Sequence, residues 1–174
     1  MAVHMVAERQ GMTRGVLFVH STQRALCPHL EWAIGDVLGS RVTLDWLPQP
    51  VLPGQVRSEI SWQAAPGTAA RITSALRQFK AVRYEVAEEP VKGSEGERFA
   101  VTPDLGVFRA TMGPHGDVMI HEDRIRAILA ASGDNPGDLR QGLNMILGSA
   151  WDAELEPFRR AGDGMSVRWL HQVV

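Results

Sequence analysis

The chain has 174 residues, of which 44% are hydrophobic and 22% charged, and such values are typical of a globular protein with one substantial core. A formal net charge of −2 and a pI near 6.3 indicate no basic surface for a nucleic acid or an anionic membrane. The single cysteine, Cys27, excludes an intramolecular disulfide, and no stretch reaches the roughly 18 apolar residues of a membrane span, so the sequence predicts a soluble, cytoplasmic protein.

The chain is predicted to contain one domain. The first eleven residues, MAVHMVAERQG, lack the apolar segment of a signal peptide. Residues 1–12 are expected to form a disordered tail, or the first eleven to precede an alternative start at Met12. Residues 13–174 are expected to form a single α+β domain, with a core over 14–88 and an elaboration over 97–174. A polar, glycine-containing stretch (PVKGSEGE) separates the core from the elaboration.

The core is predicted from the periodicity of its apolar residues. One apolar run and three alternating segments predict strands near residues 15–20, 42–48, 56–62 and 82–87. Stripes of period 3.6 predict two helices, whose apolar faces contain Leu30, Ile34, Ile72 and Leu76. The order of these elements is that of a ferredoxin-like β-α-β-β-α-β core, in which the first strand lies between the third and the fourth.

The two predicted helices leave one face of the sheet uncovered. Arg57, Glu59 and Ser61 alternate with the apolar residues of the third strand, and Arg83 and Glu85 alternate with those of the fourth. Such alternation predicts one buried face and one wetter face for each strand. With both helices on one side, this opposite face needs water or another cover.

The elaboration is predicted to contain a β-hairpin, helices and a closing strand. Phe99 and Val101 face residues 107–110 across a turn that contains Pro103 and Gly106. The other expected elements are a short strand at 118–120, a helix from about Ile125 to Gly133, a long helix from Leu139 towards Leu155 that Pro157 or Gly162 stops, and a strand at 167–174.

Several segments resemble one protein family. They are RGVLFVHS at 14–21, LCPHLEWAIG at 26–35, PGTAARI at 66–72, HGDVMI at 115–120, and the late segments AWDAELEPFR and VRWLHQVV. Together they are similar to an actinobacterial family known as domain of unknown function 3145, over nearly the whole chain from Met12. The resemblance implies no assigned activity and no catalytic residues. It does imply an association, through neighbouring genes, with type II fatty-acid synthesis.

The first candidate site is the junction of the first strand and the first helix. His20, Ser21 and Arg24 lie where backbone N–H groups at a helix N-terminus favour an anion, so the segment predicts a phosphate or carboxylate pocket. The alternative is that the hydroxyls cap a turn and that Arg24 is a solvated charge. No glycine-rich nucleotide-binding motif is present in the sequence.

Cys27 and His29 form a weaker candidate for a nucleophile and its base. A helix N-terminus lowers the pKa of a thiol. Residues two apart on a helix point to different sides, however, so a buried structural cysteine is the preferred interpretation.

A third candidate is the acidic and histidine-rich segment GPHGDVMIHED. His115, Asp117, His121, Glu122 and Asp123 are residue types that suit a divalent metal or acid–base chemistry. Their spacing matches no standard ligand set. The preferred interpretation is that Asp117 fixes a turn and that the later acids favour a helix N-terminus, so no metal or cofactor is predicted.

Trp32 is the candidate for a contact surface. It falls between the predicted core positions Leu30 and Ile34, and an exposed tryptophan marks a surface for a partner.

Two functions remain open from the sequence. The preferred one is a non-catalytic binding or accessory protein linked to fatty-acid synthesis, whose partner is another protein, such as an acyl carrier protein or a carboxylase subunit, or a small anionic ligand. The alternative is an enzyme of unrecognised type that uses His20, His115 or His121 with nearby carboxylates.

Overall fold

The structure is a computed structural model, and it describes residues 11–161. This part of the chain contains seven strands and five α-helices, so the class is α+β. The strands are β1 (Thr13–Gln23), β2 (Leu47–Pro48), β3 (Gln55–Ala64), β4 (Arg83–Glu88), β5 (Gly96–Thr102), β6 (Gly106–Met112) and β7 (Val118–Met119). The helices are α1 (Cys27–Leu38), α2 (Thr68–Leu76), α3 (Glu122–Ser132), α4 (Pro136–Leu147) and α5 (Ser149–Arg160).

All seven strands belong to one antiparallel sheet of order β2-β3-β1-β4-β5-β6-β7. Leu17 of β1 lies opposite Ile60 of β3 on one side and Val86 of β4 on the other. The first strand therefore lies between β3 and β4, which is the pairing that the order of elements predicts. The predicted hairpin is also present, since Val101 of β5 pairs with Val107 of β6.

Helices α1 and α2 cover one face of the sheet and form the main core with it. Alternate residues of β1, β3 and β4 point to this face because successive side chains of a strand point to opposite sides. The side chains that are completely buried here include Leu17, Leu30, Ile34, Ile72, Leu76, Tyr84 and Val86. Gly39 ends α1 in the left-handed conformation, which glycine adopts without steric strain.

Helix α5 covers part of the opposite face. Its Leu155 packs in a second apolar cluster with Ala100, Phe108 and Ala110 of β5 and β6. Trp151 stacks at a tilt on Phe108, with ring centroids 5.3 Å apart, and donates a hydrogen bond from Nε1 to the Gly106 carbonyl at 3.1 Å. The elaboration thus supplies a cover for β4, β5 and β6.

The predicted second strand is much shorter than the pattern indicates. Only Leu47–Pro48 pairs with β3, whereas residues 41–46 have no regular structure. The reason is that the backbone N–H of Leu44 and the indole Nε1 of Trp46 donate to Glu31 Oε1 of α1, at 3.0 and 2.9 Å. A carboxylate on the helix replaces the neighbouring strand as their acceptor.

The predicted long helix is two helices. Gly148, at φ 74°, ends α4 and precedes α5, so the chain changes direction there. Pro157 lies inside α5, which continues to Arg160, so of the two alternative ends predicted for the helix the one at Pro157 is wrong. The strand expected at 167–174 and residues 1–10 of the expected tail fall outside the described residues, whereas Gly11 and Met12 are exposed and have no regular structure.

The longest helices among residues 11–161 have 12 residues. No helix in this part of the chain has the length and hydrophobicity needed to cross a lipid bilayer.

Candidate functional site

A buried group of charged side chains lies between the sheet and α5. At its centre is Glu85 of β4, which is 1% exposed. Arg159 of α5 donates to this carboxylate twice, from Nε to Oε2 at 2.9 Å and from Nη2 to Oε1 at 2.6 Å. Arg98 of β5 donates from Nη2 to Oε1 at 2.9 Å, and His20 Nε2 of β1 lies 2.7 Å from Oε2. With Asp152 of α5, these residues form what we call the Glu85 cluster.

Asp152 is the second carboxylate of the cluster. Its Oδ1 accepts from Arg98 Nη2 at 2.6 Å and from Arg159 Nη2 at 2.8 Å. Asp152 and Arg159 are seven residues apart, about two helical turns, and therefore lie on the same side of α5. Two acids thus bind two guanidinium groups, and three elements of secondary structure are joined at one point.

The surroundings of Glu85 keep it ionised. Burial alone would raise its pKa, but the hydrogen bonds from His20 and Arg159 and their electrostatic interaction with the carboxylate outweigh burial and hold the pKa of Glu85 well below its usual range. Burial likewise acts to lower the pKa of Arg159, and its bonds to Glu85 and Asp152 raise that pKa instead. The cluster is therefore a set of paired charges, as burial requires.

This arrangement is poorly suited to proton transfer. Both oxygens of Glu85 already accept hydrogen bonds within the cluster. The cavity beside His20 and Arg159, which Phe18 and Phe158 also line, has a volume of about 100 Å³. That volume holds roughly three water molecules, and it is well below that of a substrate pocket. The ion pairs of the cluster therefore fix α5 on the sheet.

The predicted anion-binding loop is not a loop. Strand β1 continues through His20 and Ser21 to Gln23, with an irregularity in its register after Val19. His20 and Ser21 are buried, and the imidazole of His20 is directed at Glu85. Arg24 lies exposed in the 3₁₀ turn Arg24–Leu26 that follows. The structure thus assigns His20 to the Glu85 cluster and leaves Arg24 on the surface.

Trp32 lies on the outer side of α1 and is 75% exposed. Its helical neighbours Leu30, Ala33 and Ile34 are buried against the sheet. The sequence expectation of an exposed tryptophan therefore matches the geometry.

The histidine and acid segment lies at the other end of the sheet. His115 and Asp117 are exposed in the turn between β6 and β7, where the Gly113 N–H donates to the Asp117 carbonyl at 2.8 Å. His121 precedes α3, and the following two acids lie in its first turn. Within residues 11–161 no group of three or more His, Cys, Asp or Glu side chains is placed to hold a metal. Strands β4, β5 and β6 separate this segment from His20.

Cys27 begins α1 and is buried. Burial raises the pKa of its thiol, so this position disfavours the thiolate that a nucleophile requires.

The sequence interpretation missed the Glu85 cluster. Arg83 and Glu85 were expected on a wetter face of the fourth strand, and for Glu85 this is wrong because α5 packs over it. One signal was available, since an acid between Tyr84 and Val86 in a short apolar strand is rarely buried without a partner. The partner Arg159 is 74 residues away in the chain, and no local sequence pattern predicts that these two residues are in contact.

A second cavity lies on the same sheet face, beside the part that α5 covers. It has a volume of about 610 Å³ and is an open groove along β1 and β3. The buried apolar cluster of Val16, Phe18 and Ala87 forms its floor. We call it the β1–β3 groove, and its remaining lining residues are Arg14, Gly15, Glu59, Ser61, Trp62, Gln63 and Glu89.

Comparison with known proteins gives a family and no described activity. The model of the family described as "Protein of unknown function (DUF3145)" matches residues 16–172. No curated protein and no solved structure matches the chain. Since the family match spans most of the sequence, the chain belongs to the DUF3145 family.

Proposed function

We propose that the protein is a non-catalytic binding or accessory protein that recognises a protein partner through the N-terminal part of α1. The observation that carries this proposal is the 75% exposure of Trp32. Tryptophan and arginine are the residue types that most often dominate the binding energy of an interface.

Trp32 belongs to a small exposed surface. Pro28 lies one helical turn before it, and residues four apart on a helix are neighbours. Arg24 is exposed in the 3₁₀ turn that leads into α1. We call Arg24, Pro28 and Trp32 the α1 surface. An aromatic anchor beside a cation favours a partner with an apolar pocket and acidic groups.

The helix that carries this surface is firmly held. Leu30 and Ile34 are completely buried. Glu31 Oε1 accepts two hydrogen bonds from the segment that contains Leu44 and Trp46. A rigid anchor loses little conformational freedom when it binds, so more of its contact energy appears as affinity.

The association with fatty-acid synthesis that the sequence resemblance implies supplies the first partners to test. An acyl carrier protein and a carboxylase subunit are the candidates. The arrangement of histidines argues against the enzyme alternative, because His20 is bound to Glu85 and lies across the sheet from His115 and His121.

The test compares wild type with Trp32→Ala as bait in native lysate, with captured proteins quantified by mass spectrometry. Affinities for purified acyl carrier protein and the carboxylase subunit are then measured by calorimetry. We expect Trp32→Ala to weaken capture by on the order of 2 kcal/mol, about 30-fold in affinity. Met145→Ala is the matched control, because Met145 is a large apolar residue that is 65% exposed on a different helix.

Two outcomes would contradict the proposal. If Trp32→Ala lowers the free energy of unfolding by more than about 1 kcal/mol, the side chain belongs to the core and the α1 surface does not exist. If His20→Ala or His115→Ala abolishes function in cells while partner capture persists, the binding proposal is wrong and an active site must be sought around those imidazoles.

A further inference from the structure

The β1–β3 groove is the part of its sheet face that α5 leaves open. Within residues 11–161, α1 and α2 cover the opposite face and α5 covers β4, β5 and β6. The floor of the groove is apolar, with Val16 and Phe18 of β1 beside Ala87 of β4. Glu59 of β3 lines the groove, and desolvation by burial raises the pKa of this carboxyl. An apolar floor with partly desolvated polar walls favours a protein segment or a ligand as its cover.

The end of α5 lies at one end of this groove. Phe158 and Arg159 line the small cavity beside His20, and Phe18 and Glu59 line both that cavity and the groove. The chain leaves α5 at Ala161, two residues after Arg159. Residues 162–174 therefore begin next to the groove.

The length of this segment is sufficient to follow the groove. Residues 162–174 are 13 in number, and 13 residues reach up to about 43 Å. The distance along β1 from Phe18 to Arg14 is four residues, about 13 Å. The segment is therefore long enough to extend along the whole floor of the groove and to turn back along it.

The composition of the segment complements the groove. It contains Val167, Trp169, Leu170 and a final pair of valines, which match an apolar floor. Arg168 offers a charge opposite in sign to Glu59 and Glu89. The family match continues to residue 172, so most of this segment lies within the region that the family match covers.

We infer that residues 162–174 bind in the β1–β3 groove and cover the sheet face that α5 leaves open. The groove is then an internal contact of the folded chain, and Trp169 is its main apolar anchor.

Photo-cross-linking of the full chain tests this inference. Benzoylphenylalanine placed at Gln63, an exposed position at the end of the groove away from α5, is irradiated, and the cross-linked peptides are identified by mass spectrometry. We expect an intramolecular link to a peptide from 162–174. The same label at position 32, on the opposite side of the sheet, is the matched control and should give no such link.

A second measurement uses trypsin cleavage after Arg168. Ser61→Trp fills the groove at an exposed position, so it should displace the segment and increase the cleavage rate about tenfold or more. Trp32→Ala should leave that rate unchanged. Cross-links between two molecules would instead identify a second copy as the occupant, and they would overturn the inference. A label at Gln63 that reaches no residue of 162–174, or a cleavage rate unaffected by Ser61→Trp, would overturn it as well.

Discussion

Arg159 and Glu85, 74 residues apart, form a buried two-point ion pair in which Nε donates to Oε2 at 2.9 Å and Nη2 to Oε1 at 2.6 Å. Both side chains are less than 10% exposed. The pair joins α5 to the middle of the sheet. It therefore adds directional, charge-assisted hydrogen bonds to the apolar packing of Leu155 that holds α5 on the sheet.

Replacing Arg159 should destabilise the protein strongly. Arg159→Met keeps much of the side-chain volume but leaves Glu85 with fewer positive partners in a buried site. The expected loss is about 3 kcal/mol in the free energy of unfolding, since removing one partner of a buried pair leaves the other charge uncompensated. Urea denaturation followed by circular dichroism measures this change.

Arg160→Met is the matched control for that experiment. Arg160 is the next residue of α5 and pairs with Glu156 at the surface, at 2.9 Å. An exposed pair of this kind contributes below about 0.5 kcal/mol. Equal effects from the two substitutions would show that the Glu85 cluster is not what holds α5.

The depressed pKa of Glu85 should make the fold sensitive to acid. In the unfolded chain a glutamate has a pKa of about 4.3, and the folded-state pKa of Glu85 is lower. Its stabilising contribution is therefore complete above about pH 4.3 and is lost as the pH falls towards the folded pKa, because only the unfolded state takes up a proton in that interval. The expected slope from this one group is about 1.4 kcal/mol per pH unit.

Glu85→Gln tests this assignment. The variant should be less stable at neutral pH, since Arg98 and Arg159 lose an ionised partner, and its acid dependence should be shallower than that of the wild type. Both proteins are measured in the same stabilising osmolyte, so that the variant stays folded over the range. Parallel pH curves for the two proteins would mean that other acids cause the acid sensitivity.

Strand and helix periodicity was enough to predict the order of the elements. The buried alternation around Leu17, Ile60 and Val86 fixes which face of each strand meets α1 and α2. The extent of the second strand was predictable only in part, because Glu31 of the preceding helix takes the N–H of Leu44. When a side chain competes with a strand for backbone hydrogen bonds, the periodicity of apolar residues does not reveal it.

The candidate site was less predictable than the fold. The exposure of Trp32 follows from helical spacing alone, because its neighbours Leu30 and Ile34 occupy the buried stripe. The role of His20 does not follow from a local pattern, since it depends on Glu85 and on the position of α5. Local patterns predict on which face of a strand or helix a side chain lies. Contacts between distant elements decide whether that face is exposed to solvent.

Chelation should not affect the stability of the protein. His115, Asp117 and His121 are exposed around the β6–β7 connection, where single side chains bind divalent ions weakly. We expect an unchanged melting temperature with and without a strong chelator, and less than one equivalent of metal by elemental analysis. One tightly bound equivalent that is lost in the His115→Ala/His121→Ala double variant would make this prediction wrong and would favour the enzyme alternative.

Gly148 should be the least replaceable residue of the α4–α5 connection. Its φ of 74° is left-handed, and a Cβ added there would lie 2.6 Å from Cε1 of Phe108. Gly148→Ala therefore combines backbone strain with a displacement of Phe108, on which Trp151 packs.

Gly39→Ala separates these two effects. Gly39 ends α1 with φ 68° and ψ 21°, close to the 74° and 24° of Gly148, but a Cβ there would meet no atom within 4 Å. Gly39→Ala should cost about 1 kcal/mol from the backbone alone. Gly148→Ala should cost about 1 to 3 kcal/mol more, because overpacking at Phe108 is added. Thermal denaturation of both variants measures the difference, and equal costs would show that Phe108 moves aside freely and that α5 is held by the Glu85 cluster rather than by this contact.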